Sequence, residues 1–232
     1  MLDQVNMTPF LLSLKIAGMA TLIVFMIGVA LAHWMARHQF FGKSFIEALV
    51  TLPLVLPPTV VGFGLLILFG KNGMIGKWLD DWFGVQVVFT WVAAVIASVV
   101  VSFPLMYQNA VAAFQQVDRR LESAALLMGA SRLHVFRTIT FPLAWPGLLA
   151  GLVLTFARAL GEFGATLMLA GYIPGRTDTM PLAIYFAVES GHMDLAAFWA
   201  IIIVTFGLSI IMWLNWWSKK NIQRYTQQEG RG

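Results

Sequence analysis

Two side chains of opposite charge, Arg158 and Glu162, lie inside one of the long apolar stretches of this 232-residue chain. They are four residues apart, so they share one face if the stretch is helical. Charges inside such a stretch are costly and are therefore candidates for function. Three interpretations stay open: a structural ion pair, a gate or contact between subunits, and a direct contact with an anionic cargo. A carboxylate repels a dianion, so Glu162 itself is a poor ligand for one.

Residues that disturb helices occur in two apolar stretches: glycines in the stretch with Arg158 and Glu162, and prolines in an earlier one. Gly161 and Gly164 flank Glu162 and favour a bend there. Pro57 and Pro58 remove backbone donors and strain the preceding turn, so a helix must kink or break at them. Breaks at membrane depth occur where protein or a water-filled path satisfies the freed carbonyls. A purely structural kink is the alternative to a path. The candidate path or gate residues are Pro57, Pro58, Arg158, Glu162, Phe163, Gly164 and Thr166.

Covalent, metal and nucleotide chemistry are not predicted. The chain has no cysteine, which excludes disulfides, thiol catalysis and cysteine-bound metals. Its histidines, scattered at positions 33, 38, 134 and 192, include no pair at the spacing of metal ligands on a helix. No glycine-rich phosphate loop of the Walker type occurs. We therefore expect no metal, no cofactor and no ATP hydrolysis by this chain, and any energy must come from a partner.

The composition identifies the elements that must position these residues. Hydrophobic residues make up 59% of the chain and charged residues 11%, typical of an integral membrane protein. Five segments have the roughly 20 residues that cross a hydrocarbon core. None shows the strict alternation of a barrel strand, so we predict an all-α polytopic membrane protein. The predicted spans are Phe10–Ala36, Ile46–Phe69, Val85–Tyr107, Trp145–Gly171 and Ala196–Trp217. A sixth span would require the short segment Leu182–Val188 to insert with a neighbour.

The loop charges predict an orientation. Segments 37–45, 118–142 and 218–232 contain ten lysines and arginines, whereas segments 1–9, 70–84 and 172–195 contain three. Basic loops stay in the cytoplasm, so the N-terminus is predicted outside and the C-terminus inside. Topology then accounts for the net charge of +4, and no nucleic-acid partner is expected. Basic residues beside the last helix are expected to meet anionic lipid.

Capping signals in the cytoplasmic loop 118–142 predict two short helices. Asp118 is a suitable N-cap for a helix that runs to Met128, and Gly129 suits the left-handed residue that ends it. Ser131 is a suitable cap for a second helix that ends before Pro142. The first helix presents a strip of small and apolar residues, which are Leu121, Ala124, Ala125 and Met128. Such a strip can rest on the lipid surface or dock in a protein groove, and small alanines favour the groove.

At these residues the sequence resembles the inner-membrane permease subunits of ABC importers. Their cytoplasmic loop has the pattern Glu-Ala-Ala, three residues, Gly, nine residues, Ile, one residue, Leu-Pro. The matching residues are Ala124, Ala125, Gly129, Ile139 and Pro142. Ser123 stands at the acidic position, with Glu122 one residue earlier, and Phe141 replaces the leucine. The resemblance implies that the segment is a coupling helix that sits in a cleft of an ATP-binding subunit. The implied coupling residues are Glu122, Ser123, Ala124, Ala125, Gly129, Ala130, Arg132 and Phe136.

Four further strings, in segments 52–62, 70–76, 159–166 and 173–185, are similar to the molybdate permeases of this family. Sulfate permeases share the Gly-Glu-Phe-Gly string but are less similar elsewhere. The resemblance implies the type I importer permease fold, with residues 1–232 as one transmembrane domain in the bacterial inner membrane. It implies alternating access and a cargo of molybdate or tungstate, with sulfate as the alternative.

The implied partners are a second copy of the chain, two ATP-binding subunits and a periplasmic oxyanion-binding protein. The loops 70–84 and 171–194 would meet the binding protein, unless they are ordinary solvated loops. A membrane-embedded enzyme or scaffold without a transport role is the alternative of another class. A stoichiometric ATPase partner would distinguish the two.

Overall fold

The computed structural model describes the backbone of residues 6–229 and the side chains of residues 6–213. Within this part of the chain every regular element is helical, as the apolar composition predicted. The α-helices are α1 Thr8–Arg37, α2 Lys43–Thr51, α3 Pro58–Phe69, α4 Met74–Phe83, α5 Trp91–Gln115, α6 Arg119–Leu127, α7 Arg132–Val135, α8 Phe141–Leu160, α9 Gly164–Ala170, α10 Met180–Glu189 and α11 Met193–Glu229. A 3-10 turn, Leu52–Leu54, follows α2, and a π-helical turn, Phe136–Thr140, joins α7 to α8.

Helices α1 and α5 lie side by side and run in the same direction. Near their N-terminal ends, the Lys15 ammonium lies 3.8 Å from the centroid of the Trp91 ring. Halfway along, the Met106 side chain covers the open side of Gly28. At the other end, Arg119, just after α5, donates to the Ala36 carbonyl of α1 at 3.3 Å. Both helices therefore end on the same side of the bundle, here called the α6 end.

Helix α8 packs on α5 in the opposite direction. A Cβ placed on Gly147 would stand 2.7 Å from the Ala113 Cβ, and one on Gly151 would stand 2.8 Å from the Asn109 Cβ. Small residues at such crossings let helices approach closely, which is how membrane helices gain packing contacts without a hydrophobic driving force. Buried side chains of α1, α5 and α8, among them Met35, Phe114 and Leu148, form the core near the α6 end.

The parallel course of α1 and α5 requires the chain between them to cross back. Four helices are long and apolar enough to span by themselves: α1, α5, the continuous helix Arg132–Leu160, and α11 up to Trp213. The segments Lys43–Leu54 and Pro58–Phe69 pass the same test together, although they meet at an angle of 110°. This bent pair makes the return crossing. The break predicted at Pro57 and Pro58 is confirmed, and with the bent pair counted as one span the described residues have five candidate crossings.

Two predicted spans have different bounds in the structure. The third begins at Trp91, six residues after the predicted start, and continues to Gln115, about two turns beyond the predicted end at Tyr107. The fourth, predicted as Trp145–Gly171, ends at Leu160, and the chain then turns into α9. The second loop helix was predicted to end before Pro142, but it continues through the π-turn into α8. A π-turn is wider than an α-turn, and Pro142 follows it in the first turn of α8, where a missing donor is tolerated.

Helix α10 has ten residues and is too short to span, so the described residues contain no sixth crossing. The basic side chains predicted beside the last helix lie outside the described side chains.

Candidate functional site

The loop between α5 and α8 is built by local capping signals. Asp118 accepts a hydrogen bond from the Arg120 amide at 2.8 Å and begins α6. Gly129 adopts a φ of +90° and ends the helix. Its amide bonds to the Leu126 carbonyl, and the Ala130 amide bonds to the Ala125 carbonyl, a Schellman motif. Ser131 then accepts from the His134 amide at 3.3 Å and begins α7. The predicted caps and the glycine between the helices are confirmed.

One face of α6 is apolar and exposed. Leu121 and Ala124 are exposed on it, and Leu127 and Met128 at its end are 89% and 82% exposed. Only Ala125 of the predicted strip turns inward, where it is buried. An exposed apolar face beside basic and polar groups is typical of a surface that binds another molecule.

The eight predicted coupling residues divide into two groups. Ser123, Ala124, Gly129 and Arg132 are exposed, and Ala130 is half-buried. Glu122, Ala125 and Phe136 turn toward the bundle. The Phe136 ring lies 4.7 Å from the His33 ring of α1, centroid to centroid, and it also contacts Phe114 and Phe141. Contact of the set with an ATP-binding subunit stays a prediction, and the exposed group is the part of it that a partner can reach.

Glu122 binds two residues that the sequence did not single out. Its Oε1 pairs with the Arg37 guanidinium in the last turn of α1. The same oxygen accepts a hydrogen bond from the Thr140 hydroxyl, at the end of the π-turn, at 2.6 Å. In the sequence, Arg37 stands out only as one of the basic loop residues. No local signal joins residues 37, 122 and 140, because only the packing of α1 against α5 brings them together.

The predicted path residues converge where two breaks in helices meet. A Cβ on Gly164 would stand 3.2 Å from the Pro58 Cβ, and one on Gly62 would stand 2.7 Å from the Ala165 Cα. The start of α9 therefore packs directly on the start of α3. Thr166 is fully buried in α9, whereas Pro57 is exposed. The Phe163 ring lies beside Tyr185 of α10, 5.2 Å between centroids.

Glu162 lies in the break between α8 and α9, and it contacts both helices. It is 3% exposed, and its Oε2 lies 2.7 Å from Arg158 Nη1 at the end of α8. Its Oε1 accepts a hydrogen bond from the Ala165 amide at 2.9 Å, which satisfies a free donor in the first turn of α9. These contacts favour the structural ion pair among the three interpretations. The Arg158 side chain stays 30% exposed, so its other donors remain accessible.

The loop after α9, at the end of the bundle away from α6, is held by hydrogen bonds between its own residues. Thr177 is buried, donates to the Gly171 carbonyl and accepts from the Ile173 amide. Tyr172 and Asp178 border a cavity of about 330 Å³ that also reaches α1, α10 and α11. Burial raises the pKa of Tyr172, and the Asp178 carboxylate raises it further. Among the described side chains no group of three histidines and carboxylates converges as a metal site.

Comparison with known proteins identifies the family. Residues 11–222 match the family described as binding-protein-dependent transport system inner membrane component. A putative molybdenum transport system permease protein of Bacillus subtilis (strain 168) is 50% identical over 208 residues, covering 90% of this chain and 92% of that protein. A molybdenum transport system permease protein of Escherichia coli (strain K12) is 43% identical over 215 residues, covering 92% of this chain and 94% of that protein.

A solved structure shows the same fold. In a bacterial alginate ABC transporter in complex with an alginate pentasaccharide-bound periplasmic protein, one chain superposes with a TM-score of 0.75 at 20% identity. The match covers 92% of this chain and 78% of that one. The predicted permease fold and the predicted family are confirmed. This chain belongs to the inner membrane components of binding-protein-dependent transport systems.

Proposed function

We propose that this chain is the permease subunit of an ATP-driven importer of molybdate, with tungstate as a second substrate. Its relatives of 43–50% identity carry molybdenum transport in their names, which supports the cargo. Two copies form the path, two ATP-binding subunits bind at the α6 end, and a periplasmic oxyanion-binding protein delivers the anion. The α6 end then faces the cytoplasm of a bacterial cell, with the N-terminus outside and the C-terminus inside.

The observation that carries the proposal is the exposed apolar face of α6. A helix with exposed Leu127 and Met128, joined to two membrane-spanning helices, is suited to carry motion from a soluble partner into the membrane. Ser123, Ala124, Gly129 and Arg132 extend the surface that an ATP-binding subunit would cover. Closure of the two ATPases would move α6, and the helices that it connects, α5 and α8, would open the path on the opposite side.

The path runs where α3 meets α9. The breaks at Pro58 and Glu162 leave short helices that can tilt without unfolding a long span. The Arg158 side chain is 30% exposed and would offer positive charge to a passing oxyanion, while its ion pair with Glu162 lowers the net charge there. Specificity for molybdate over sulfate then resides mainly in the binding protein that loads the anion.

The test is reconstitution with the ATPase and the binding protein from the same source. The permease is co-purified with the ATPase in mild detergent, and the complex is placed in liposomes that contain ATP. Uptake of radiolabelled molybdate is expected only with the binding protein present, and unlabelled tungstate is expected to compete.

Sulfate competing as well as tungstate would favour the sulfate permease alternative. Recovery of the permease without a stoichiometric ATPase would contradict the importer assignment and favour a stand-alone membrane protein.

A further inference from the structure

Helix α6 is attached to the bundle by few apolar contacts. Ala125 is the single buried residue among its nine, and a buried alanine contributes little area to packing. An element that transmits motion must nevertheless stay fixed to the helices that it moves. The attachment of α6 therefore depends on the polar contacts of its inward face.

Polar side chains hold α6 to its neighbours, and three of them, Arg37, Glu122 and Thr140, meet at one point. Glu122 pairs with Arg37 of α1 and accepts from Thr140 of the π-turn. Arg119, one helical turn earlier, donates to the Ala36 carbonyl. We call Arg37, Glu122 and Thr140 the α6 anchor. It joins the first long helix, the loop helix and the beginning of α8 through a single carboxylate.

The anchor is shielded from water. The side chains of Arg37 and Glu122 are each 16% exposed, and Thr140 is 2% exposed. A charge-assisted contact at low exposure is stronger and more directional than a surface ion pair. Removing one partner from such a pair leaves the other charge without compensation.

The direction of Glu122 matters for its role. Ser123 and Ala124 point out of the molecule, whereas Glu122 points into it. Glu122 therefore acts on this chain and not on a docked subunit. The residue at the acidic position of the loop pattern, Ser123, is free to face a partner without a charge.

We propose that Glu122 is a positioning residue that makes α6, α1 and the π-turn move as one unit when the ATPases close. The inference rests on the proposed function and assigns the anchor a part in it. Without the carboxylate, α6 would still bind the ATPase through its exposed face but would rotate without carrying α1 and α8. ATP would then be hydrolysed without transport.

The test uses variants in the reconstituted complex. Glu122→Gln removes the charge, Thr140→Val removes the hydroxyl, and Arg37→Glu combined with Glu122→Arg exchanges the two charges. Glu47→Gln is the matched control, because Glu47 forms the only other described ion pair near the α6 end, 3.9 Å from Lys43 on exposed α2. Uptake per ATP hydrolysed is measured for each, together with amide hydrogen exchange of residues 119–127.

Glu122→Gln is expected to bind the ATPase normally, to exchange amides of α6 faster and to transport about tenfold less anion per ATP, within the range of measured couplings between sites. Thr140→Val is expected to show a smaller change in the same direction. The exchanged pair is expected to recover several-fold over Glu122→Arg alone, because attraction is restored in reverse. Glu47→Gln is expected to behave as the wild type.

Loss of ATPase binding in Glu122→Gln, with binding intact in Arg37→Gln, would overturn the proposal in favour of a direct contact with the ATPase. Unchanged amide exchange, or faster exchange with unchanged uptake per ATP, would also overturn it. Amide exchange needs no cargo, so the anchor can be tested even if the wild-type complex fails to take up molybdate, a result that would count against the proposed function alone.

Discussion

Gly129 shows how one residue sets the geometry of the loop. Its φ of +90° is reached easily by glycine, tolerated by asparagine and costly for alanine by about 1–2 kcal/mol. Its amide also bonds to the Leu126 carbonyl, a donor that proline lacks. Apart from Gly129 and its two neighbours in sequence, no atom of the described chain lies within 4 Å of an added Cβ, so the conformation and not crowding selects glycine.

We therefore predict a graded series at this position. Gly129→Asn should retain most molybdate uptake, Gly129→Ala should lose part of it, and Gly129→Pro should abolish it while the protein still inserts in the membrane. Uptake in liposomes and the amount of protein in the membrane fraction are the measurements. Normal uptake by the proline variant would contradict the coupling role of the loop.

Glu162 carries two contacts that substitutions can separate. Gln keeps an oxygen for the Ala165 amide but loses the ion pair with Arg158, whereas Ala loses both. We predict that Glu162→Gln lowers the free energy of unfolding by about 1–3 kcal/mol and Glu162→Ala by more. Thermal unfolding in detergent measures this, with Glu189→Ala on the exposed end of α10 as the control.

If both Glu162 variants unfold like the wild type but lose uptake, the structural interpretation is wrong and a gate takes its place.

Among the elements, α3 and α9 pack so closely that an added side-chain atom at Gly62 cannot fit between them. A Cβ on Gly62 would stand 2.7 Å from the Ala165 Cα and 2.8 Å from the Met168 Cβ, whereas one on Gly64 would meet nothing within 4 Å in this chain. We predict that Gly62→Ala separates the two short helices at a cost of about 1–3 kcal/mol and lowers the unfolding temperature.

Gly64→Ala provides the matched control on the same helix, and its unfolding temperature should not fall, since alanine favours helix. Equal destabilisation by both substitutions would show that helix propensity or another contact, and not the packing of α3 on α9, explains the effect.

At the scale of the whole molecule, five crossings predict the side of every loop. The chain has no cysteine, so single cysteines can be introduced without background. Gln39→Cys and Leu127→Cys should react with an impermeant maleimide only in inside-out vesicles, and Lys71→Cys and Arg176→Cys only in right-side-out vesicles. These four positions are exposed. Reaction of Lys71→Cys on the same side as Gln39→Cys would mean that the bent pair re-enters and does not cross.

Features whose causes lie within a few residues could be predicted from the sequence alone. Apolar runs of membrane length, proline breaks, the Asp118 and Ser131 caps and the Gly129 terminator depend on local backbone chemistry and side-chain hydropathy. The helix ends at Gln115 and Leu160 were misplaced, because hydropathy measures what can enter lipid and not where backbone hydrogen bonding stops.

The direction in which the inward residues of the loop point, and the groups that they bind, follow instead from the packing of distant helices. Glu122 meets Arg37 across 85 positions of sequence, and Gly164 meets Pro58 across more than one hundred. Such contacts depend on the close packing of α1 with α5 and of α3 with α9, which is set by small residues and helix directions taken together. No local pattern in one chain specifies them. The pairing of Arg158 with Glu162, by contrast, could be predicted from their spacing of four residues. The fold adds a hydrogen bond from the Ala165 amide to Glu162, which joins the ion pair to the first turn of α9.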